Sequence, residues 1–245
     1  MKTIVIAAGY ATRLYPLTEH FPKPLLQIGK STILDRMLDD IDGIPEISEH
    51  IVVTNHKFAS IFEEWARSRE RVRILDDGTT TNETRLGAVR DLILALDTFG
   101  IDEDILVVAA DNILEFSFKD FVEAYKRTRT SMIMCHHEPE IWKLQRTGVI
   151  EVDGNMRVLQ MQEKPQEPVS HWAVPPFYLY RREDLDLIRH AVENGCGADA
   201  PGNLAHYLVD RTVLHAWPMN GGRFDIGSLD TYEEAKRKYG GDVFE

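Results

Sequence analysis

The sequence predicts an α/β fold: a mixed, mostly parallel sheet flanked by helices. Three observations predict it. Short apolar runs rich in Val and Ile recur at Thr3 to Ala8, His50 to Thr54, Val72 to Leu75, Ile105 to Ala110 and Ser131 to Cys135, each of strand length. Segments with helical spacing separate most of them, which is the strand–helix–strand rhythm of a parallel sheet. Past about residue 145 the pattern changes to period-two alternation around Asp153-Gly154, the mark of antiparallel strands joined by a tight turn.

Element by element, Thr3 to Ala8 is the first strand. Ile33, Met37, Leu38 and Ile41 then fall on one helical face, with Ser31 and Thr32 available as caps. Helices are also predicted over Phe58 to Arg67, Glu83 to Leu96 and Phe118 to Arg127. In the second half, GVIEVDGNMRVLQMQEKP reads as two strands. WAVPPFYLY reads as another, interrupted by Pro175-Pro176, which must sit at an edge or a bulge because proline donates nothing to a ladder. A helix over Glu183 to Glu193, the loop CGADAPG, a helix near Asn203 to Val209, the strand VLHAWPM and a helix from Leu229 to Lys238 follow. The expectation is one domain, 1–245, whose N-terminal parallel half ends near 140 and whose C-terminal half, with antiparallel strands, fills 141–245.

The balance of residues narrows the function classes. Hydrophobic content of 43% and charged content of 28% are ordinary for a folded globular chain. A formal charge of −12 argues against nucleic acid or an anionic membrane surface as partner, since clustered Lys and Arg hold both. Apolar runs such as ILVVAA fall far short of the roughly 20 residues that span a bilayer. With no signal-like leader, a cytoplasmic location is expected. Cys135 and Cys196 stand apart from any paired motif, and His136-His137 is read as structural or surface, because adjacent strand residues diverge. The composition is compatible with a homo-oligomer.

Chemistry concentrates in AAGYATRLYPLTEHFPKPLL, Ala7 to Leu26, directly after the first strand. Gly9 lies where backbone N–H groups can face an anion, and Arg13 and Lys23 bring positive charge. Both common phosphate cradles are excluded by spelling. A P-loop ending at Gly29-Lys30-Ser31 would need glycine where Pro24 stands, and the dinucleotide loop would need more than the single Gly9.

This stretch resembles the signature of the sugar-1-phosphate nucleotidylyltransferases, the glucose-1-phosphate thymidylyl- and uridylyltransferases. Their first loop reads approximately A-[AG]-G-x-[GA]-[ST]-R-[LM]-x-P-L-T, followed by P-K-P-L-x-x-I. Further segments agree in the family's order: AADN at Ala109 to Asn112, TGVIEVD at Thr147 to Asp153, EKP at Glu163 to Pro165 and FDIG at Phe224 to Gly227. The resemblance covers essentially the whole chain, without the C-terminal β-helix domain of some relatives. It implies a Rossmann-like, nucleotide-diphospho-sugar transferase fold. It also implies transfer of a nucleotidyl group from a nucleoside triphosphate to a sugar 1-phosphate, with release of pyrophosphate.

Roles follow from the same resemblance. Arg13 and Lys23 would hold the triphosphate, within a nucleotide site that includes Ala8, Gly9, Ala11, Thr12, Gly87 and Asp111. Asp111 and Asp225 would hold Mg²⁺, the implied cofactor, which takes carboxylate, phosphate and water oxygens. Lys164 would bind the sugar phosphate and count with Arg13 and Lys23 as catalytic, while Gly148, Glu163 and Tyr178 would shape the sugar pocket. Glu163 and Lys164 are neighbours, so reaching one substrate requires an irregularity before Pro165.

Two segments depart from the family's spelling: AVPPFYLY lacks the glycine usual before the tyrosine, and GADAPGNL replaces an acidic E-x-x-I-T-D run. Two other readings stand beside the first. One is a cytidylyltransferase with a non-sugar phosphate acceptor, against which Glu163 and Lys164 speak. The other is a non-catalytic nucleotide-sugar-binding protein of the same fold, disfavoured because every catalytic position is filled.

Overall fold

Each apolar run becomes a strand because its alternate side chains find a buried layer on either side. In the computed structural model, which describes residues 1–241, the first half holds β1 (Lys2–Ile6), β2 (Gln27–Ile28), β3 (Ser31–Thr32) and α1 (Ile33–Asp42). It continues through β4 (Glu49–Thr54), α2 (Ala59–Ala66), β5 (Val72–Asp76), α3 (Ala88–Thr98), β6 (Ile105–Ala109), β7 (Asn112–Leu114), α4 (Phe118–Thr128) and β8 (Ser131–His137). Then come α5 (Ile141–Leu144), β9 (Gly148–Val152), β10 (Val158–Glu163), β11 (Trp172–Val174) and β12 (Phe177–Tyr180). The chain closes with α6 (Leu185–Arg189), α7 (Pro201–Leu208), β13 (Leu214–Pro218), β14 (Arg223–Asp225) and α8 (Leu229–Tyr239). The last four positions of the expected 1–245 domain lie outside the described residues.

The main sheet has ten strands in the order β10-β9-β11-β8-β12-β6-β1-β4-β5, with β13 added beside β8. From β6 through β5 the β1, β4, β5 and β6 pairings are parallel, whereas β12, β11 and the β9–β10 hairpin pair antiparallel. The chain leaves β1 toward β4 and β5, then returns to β1's other side with β6. That reversal opens a crevice beyond the carboxyl ends of β1 and β6, where such sheets bind ligands.

Alternation splits the core into two layers. Ile4, Val107 and Ile133 face Leu92, Leu96, Leu185 and Leu208 of α3, α6 and α7. Val5, Val108 and Met134 face Leu34, Met37, Phe62 and Phe121 of α1, α2 and α4. Each such fully buried Leu, Ile or Phe contributes about 1.5–3 kcal/mol. Helix α1 starts where expected, because Thr32 and Asp35 cap each other's backbone N–H groups at 3.0 and 3.1 Å. No helix of the described residues is long and apolar enough to cross a membrane.

Three predicted elements differ from the outcome, and one observed element is additional. The helix expected from Glu83 begins only at Ala88, because Gly87, at φ 92°, breaks the backbone after a 3-10 turn at Asn82–Thr84. The helix expected over Glu183 to Glu193 is α6, confined to Leu185–Arg189. Pro175-Pro176 separates two strands rather than marking a sheet edge: β12 lies between β6 and β8, deep in the sheet. The β7–β14 ribbon was not expected at all. It pairs Asp225 with Asn112 and Arg223 with Leu114, and so draws the C-terminal RFD segment to the end of β6.

Candidate active site

The loop after β1 folds over the crevice by a series of backbone constraints. Asn55 Nδ2 donates to Ala8 O at 2.9 Å and fixes where the loop leaves the sheet. Ala11 takes the left-handed conformation, φ 46°, and its carbonyl accepts from Thr18 Oγ1 at 2.8 Å. A side chain at Gly9 would meet nothing within 4 Å, so this stretch of backbone faces open space. Thr12 starts a 3-10 turn that carries Arg13 outward, exposed, while Leu14 anchors the turn in the core. A second 3-10 turn begins at Lys23, after Pro22 and with Pro24 at its next position, so the backbone that aims the lysine is stiff.

Lys23 is 8% exposed, and its Nζ lies 3.3 Å from Asp111 Oδ2 at the end of β6. A cleft of about 200 Å³ lies between them, lined by Ala7, Gly9, Ala11, Arg13, Lys23 and Asp111 among others. The β7–β14 ribbon then brings in Asp225. Ile226 N donates to Asp111 O at 3.0 Å, and Asn112 Nδ2 donates to Asp111 Oδ1 at 2.6 Å, which orients that carboxylate. Arg13 closes the ring: a methyl group at Gly227 would sit 3.1 Å from Asp225 Oδ2 and 3.9 Å from Arg13 Nη1. Arg13, Lys23, Asp111 and Asp225 therefore meet at one place, although they are far apart in the sequence.

Asp225 keeps contact with solvent at the cleft rim, yet its carboxyl is pushed above the usual range. Desolvation by the surrounding walls raises it most and the charge of Asp111 next, while Lys23, Arg223 and Arg13 pull it down. Two carboxylates held together at such a cost are what a hard cation needs. Mg²⁺ takes one or two carboxylates and completes its shell with phosphate and water oxygens, so Asp111 and Asp225 are the residues that could hold it.

At the other end, Lys164 is in the left-handed conformation, φ 48°, and its N–H donates to Thr147 O at 3.0 Å. This is the irregularity that two neighbouring residues need to serve one site. It brings Lys164 Nζ within 3.6 Å of Glu163 Oε1. Burial pushes the Glu163 carboxyl up, Lys164 opposes this, and Asp199 adds to it. Gly148 lies beneath: a Cβ there would approach Met161 Cε to 2.6 Å and Glu163 Oε2 to 3.4 Å.

Two residues of the expected site lie differently. Tyr178 is 2% exposed, stacked on Tyr180 at 5.8 Å between ring centroids, so it stands in the core behind Glu163 rather than on the cleft surface. Phe177 is likewise core, 5.2 Å from Phe118. Gly87 is glycine for a packing reason: a Cβ there would fall 2.5 Å from Ala198 O. Ala88 and Val89 donate their N–H groups to Asp199 O and Ala198 O at 3.0 Å, so the loop that replaces the acidic run caps α3.

Sequence reasoning missed Gly202, Asn112 as a working residue, and Arg223. Gly202 follows Pro201 in the first turn of α7, and its Cβ would land 1.9 Å from Glu163 Oε2. A glycine in a first helical turn, where any other residue forms helix better, was the available signal. Arg223 left no local signal, because β14 exists only through its pairing with β7.

Residues 2–241 match the family profile described as NTP_transferase, nucleotidyl transferase. The chain is similar to a UTP–glucose-1-phosphate uridylyltransferase of Haloferax volcanii, 24% identical over 97% of this chain and 96% of that protein. It is also similar to a glucose-1-phosphate adenylyltransferase of Fervidobacterium nodosum, 28% identical, and to the bifunctional protein GlmU of Methanocaldococcus jannaschii, 22% identical. The chain covers 59% and 51% of those two longer proteins. Among solved structures, a UDP-glucose pyrophosphorylase complexed with UDP-glucose superposes with a TM-score of 0.80 at 19% identity, covering 97% of each chain. The fold is therefore that of the nucleotide-diphospho-sugar transferases. With Arg13, Lys23 and Asp111 of the first half meeting Asp225 of the second, and the family match running from residue 2 to 241, this protein belongs to the nucleotidyl transferase family.

Proposed function

We propose that the protein transfers a nucleotidyl group from a nucleoside triphosphate to a sugar 1-phosphate, and that Mg²⁺ is its cofactor. The convergence of Arg13, Lys23, Asp111 and Asp225 on one cleft, with Glu163 and Lys164 as a second pair, carries this reading. The similar proteins whose names specify glucose 1-phosphate support the acceptor class.

An oxygen of the sugar phosphate attacks the α-phosphorus, the bond to the β-phosphate breaks, and pyrophosphate leaves. No side-chain nucleophile is required, and catalysis rests on alignment and charge. Arg13, exposed on its 3-10 turn, offers a planar fork to the triphosphate oxygens and to the departing pyrophosphate. Lys23, short of freedom between two prolines, holds a point charge beside Asp111. Asp111 and Asp225 are the groups that would hold Mg²⁺, which when bound withdraws charge from the phosphates. Lys164 holds the acceptor's phosphate, and Glu163 accepts hydrogen bonds from its hydroxyls. In this reading the residues up to about 140 form the nucleotide half and 141–245 the sugar half.

The test is a pyrophosphate-release assay with each nucleoside triphosphate, Mg²⁺ and a panel of phosphate acceptors. Release with at least one sugar 1-phosphate is expected. Release only with a non-sugar acceptor such as phosphocholine would move the assignment to the cytidylyltransferase reading, and no release with any pair would overturn it.

A further inference from the structure

Two arginines of the fold, Arg181 and Arg182, have both prongs occupied, and Arg36, whose Nε is also buried without a partner, donates from Nη2 to the carbonyls of Ile28 and Tyr239. Arg181 grips Asp184 with Nε and Nη2 at 2.9 and 3.0 Å, and Arg182 grips Asp102 at 2.8 and 2.6 Å. Arg223 is different. Its Nη1 donates to Asn112 Oδ1 at 2.7 Å, while its Nε is buried and has no hydrogen-bond partner. The amide of Asn112 fixes the guanidinium plane, and the Nε edge, the one that takes carboxylates and phosphates in a paired grip, has no partner within the protein.

The unpartnered edge has a defined place. Arg223 and Asp225 lie two apart on β14 and share a strand face, so the guanidinium lies on the side where Asp225 serves the cleft. Asp225 acts on it only through space. A second orphan stands nearby: His136 Nδ1 is buried without a partner, and after burial itself Arg223 is the strongest influence holding that imidazole neutral. His136 continues the alternation of Met132 and Met134 on β8, so it belongs to the α4 layer. Glu163, by contrast, is reached through Met161 and Val174 of the opposite layer. An acceptor lying across the end of the sheet would thus meet Glu163 on one side and Arg223 on the other.

We infer that the acceptor carries a second anionic group besides its reacting phosphate, and that Arg223, with His136 beside it, binds that group. The inference rests on the nucleotidyl-transfer reading and names its acceptor class: a carboxylate-bearing sugar 1-phosphate, or a sugar with a second phosphate. A neutral hydroxyl could accept one hydrogen bond from Nε, but only a planar or tetrahedral anion both satisfies the edge and matches its charge.

The test compares glucose 1-phosphate, glucuronic acid 1-phosphate and glucose 1,6-bisphosphate, each by calorimetric binding and by pyrophosphate release. At least one of the two acceptors with a second anionic group is expected to exceed glucose 1-phosphate by tenfold or more in kcat/KM and in affinity. The stronger arm identifies whether the group is carboxylate or phosphate. R223Q should collapse that ratio toward one, and R223K, which keeps charge without the fork, should restore only part of it. Thermal melting checks that both variants fold. Because a ratio is read, a general loss of rate from a change near Asp225 does not disturb it. Equal or better use of glucose 1-phosphate by the unaltered protein, or a ratio unmoved by R223Q, would overturn the inference while leaving nucleotidyl transfer intact. Absence of pyrophosphate with every acceptor would instead strike the proposed reaction, and the binding ratio would still decide Arg223.

Discussion

Asp225 stands beside another carboxylate before any cation arrives, and this sets a conflict between stability and activity at a single residue. Its carboxyl is raised above the ordinary value of 3.8 by desolvation and by Asp111. A raised folded-state value means that the ionised form costs stability; the cost is full at high pH and vanishes once both states are protonated. D225N removes the charge and keeps the shape. Its melting temperature should exceed that of the unaltered protein by about 2 °C at pH 8, a scale reduced by the solvent around Asp225, and the gain should fade as pH falls toward 3.8. Turnover should drop on the order of a hundredfold or more, as when one group that stabilises transition-state charge is removed. Full activity in D225N would remove the metal role proposed for it, and a lower melting temperature would show that Asp111 and Asp225 are not in conflict.

At the scale of elements, the first turn of α7 and the end of β10 behave as one device. Gly202 has no side chain where the Glu163 carboxylate lies, and any Cβ would fall 1.9 Å from its Oε2. Helical preference favours alanine over glycine by about 1 kcal/mol, so G202A should fold at least as well. Its effect should fall on the acceptor: the displaced carboxylate should raise KM for the sugar 1-phosphate roughly tenfold, the scale of a lost substrate hydrogen bond. KM for the triphosphate should stay within about twofold, since Arg13 and Lys23 lie at the other end of the cleft. Equal effects on both substrates would show that Gly202 serves the helix rather than Glu163. The same loop ties α7 to α3, through Ala198 O and Asp199 O on the N–H groups of Val89 and Ala88 and through the Arg85–Asp199 ion pair at 3.0 Å.

At the scale of the molecule, the parallel half was legible because buried strands are short runs of Val and Ile and their helices carry a regular stripe. The first loop and EKP were legible because their spelling is long. What was not legible depended on partners distant in sequence. Strands β7 and β14 have three residues each, too few for any periodicity, and exist because they pair with each other. The positive φ of Lys164, the burial of Tyr178 and the contact of Gly87 with Ala198 O likewise come from neighbours that no local window contains. One buried group should leave its mark on the stability of the whole chain. Asp91, in the first turn of α3, is 3% exposed, its Oδ1 has no partner, and its carboxyl is pushed up to about 7 by burial first and by Asp77 second. Unfolding restores the ordinary value of 3.8, so the folded state holds a proton that the unfolded chain has lost between those two values. Stability from this group is complete below 3.8 and is lost as pH rises to about 7, at about 1.4 kcal/mol per pH unit. The total is of order a few kcal/mol, a large share of a domain's net stability. Other carboxylates change in the opposite sense: that of Asp35 is lowered even though burial, its largest influence, raises it, because hydrogen bonds from Thr32 and Trp65 and the charge of Arg69 prevail. The effect must therefore be read as a difference. Urea melts of the unaltered protein and D91N should give a stability gap that widens in the variant's favour from about pH 5 to about pH 7.5. A new donor left unsatisfied by the amide would shift the gap by a constant and leave its slope intact. A gap that stays flat with pH would mean that Asp91 is ionised in the folded protein and has found a partner.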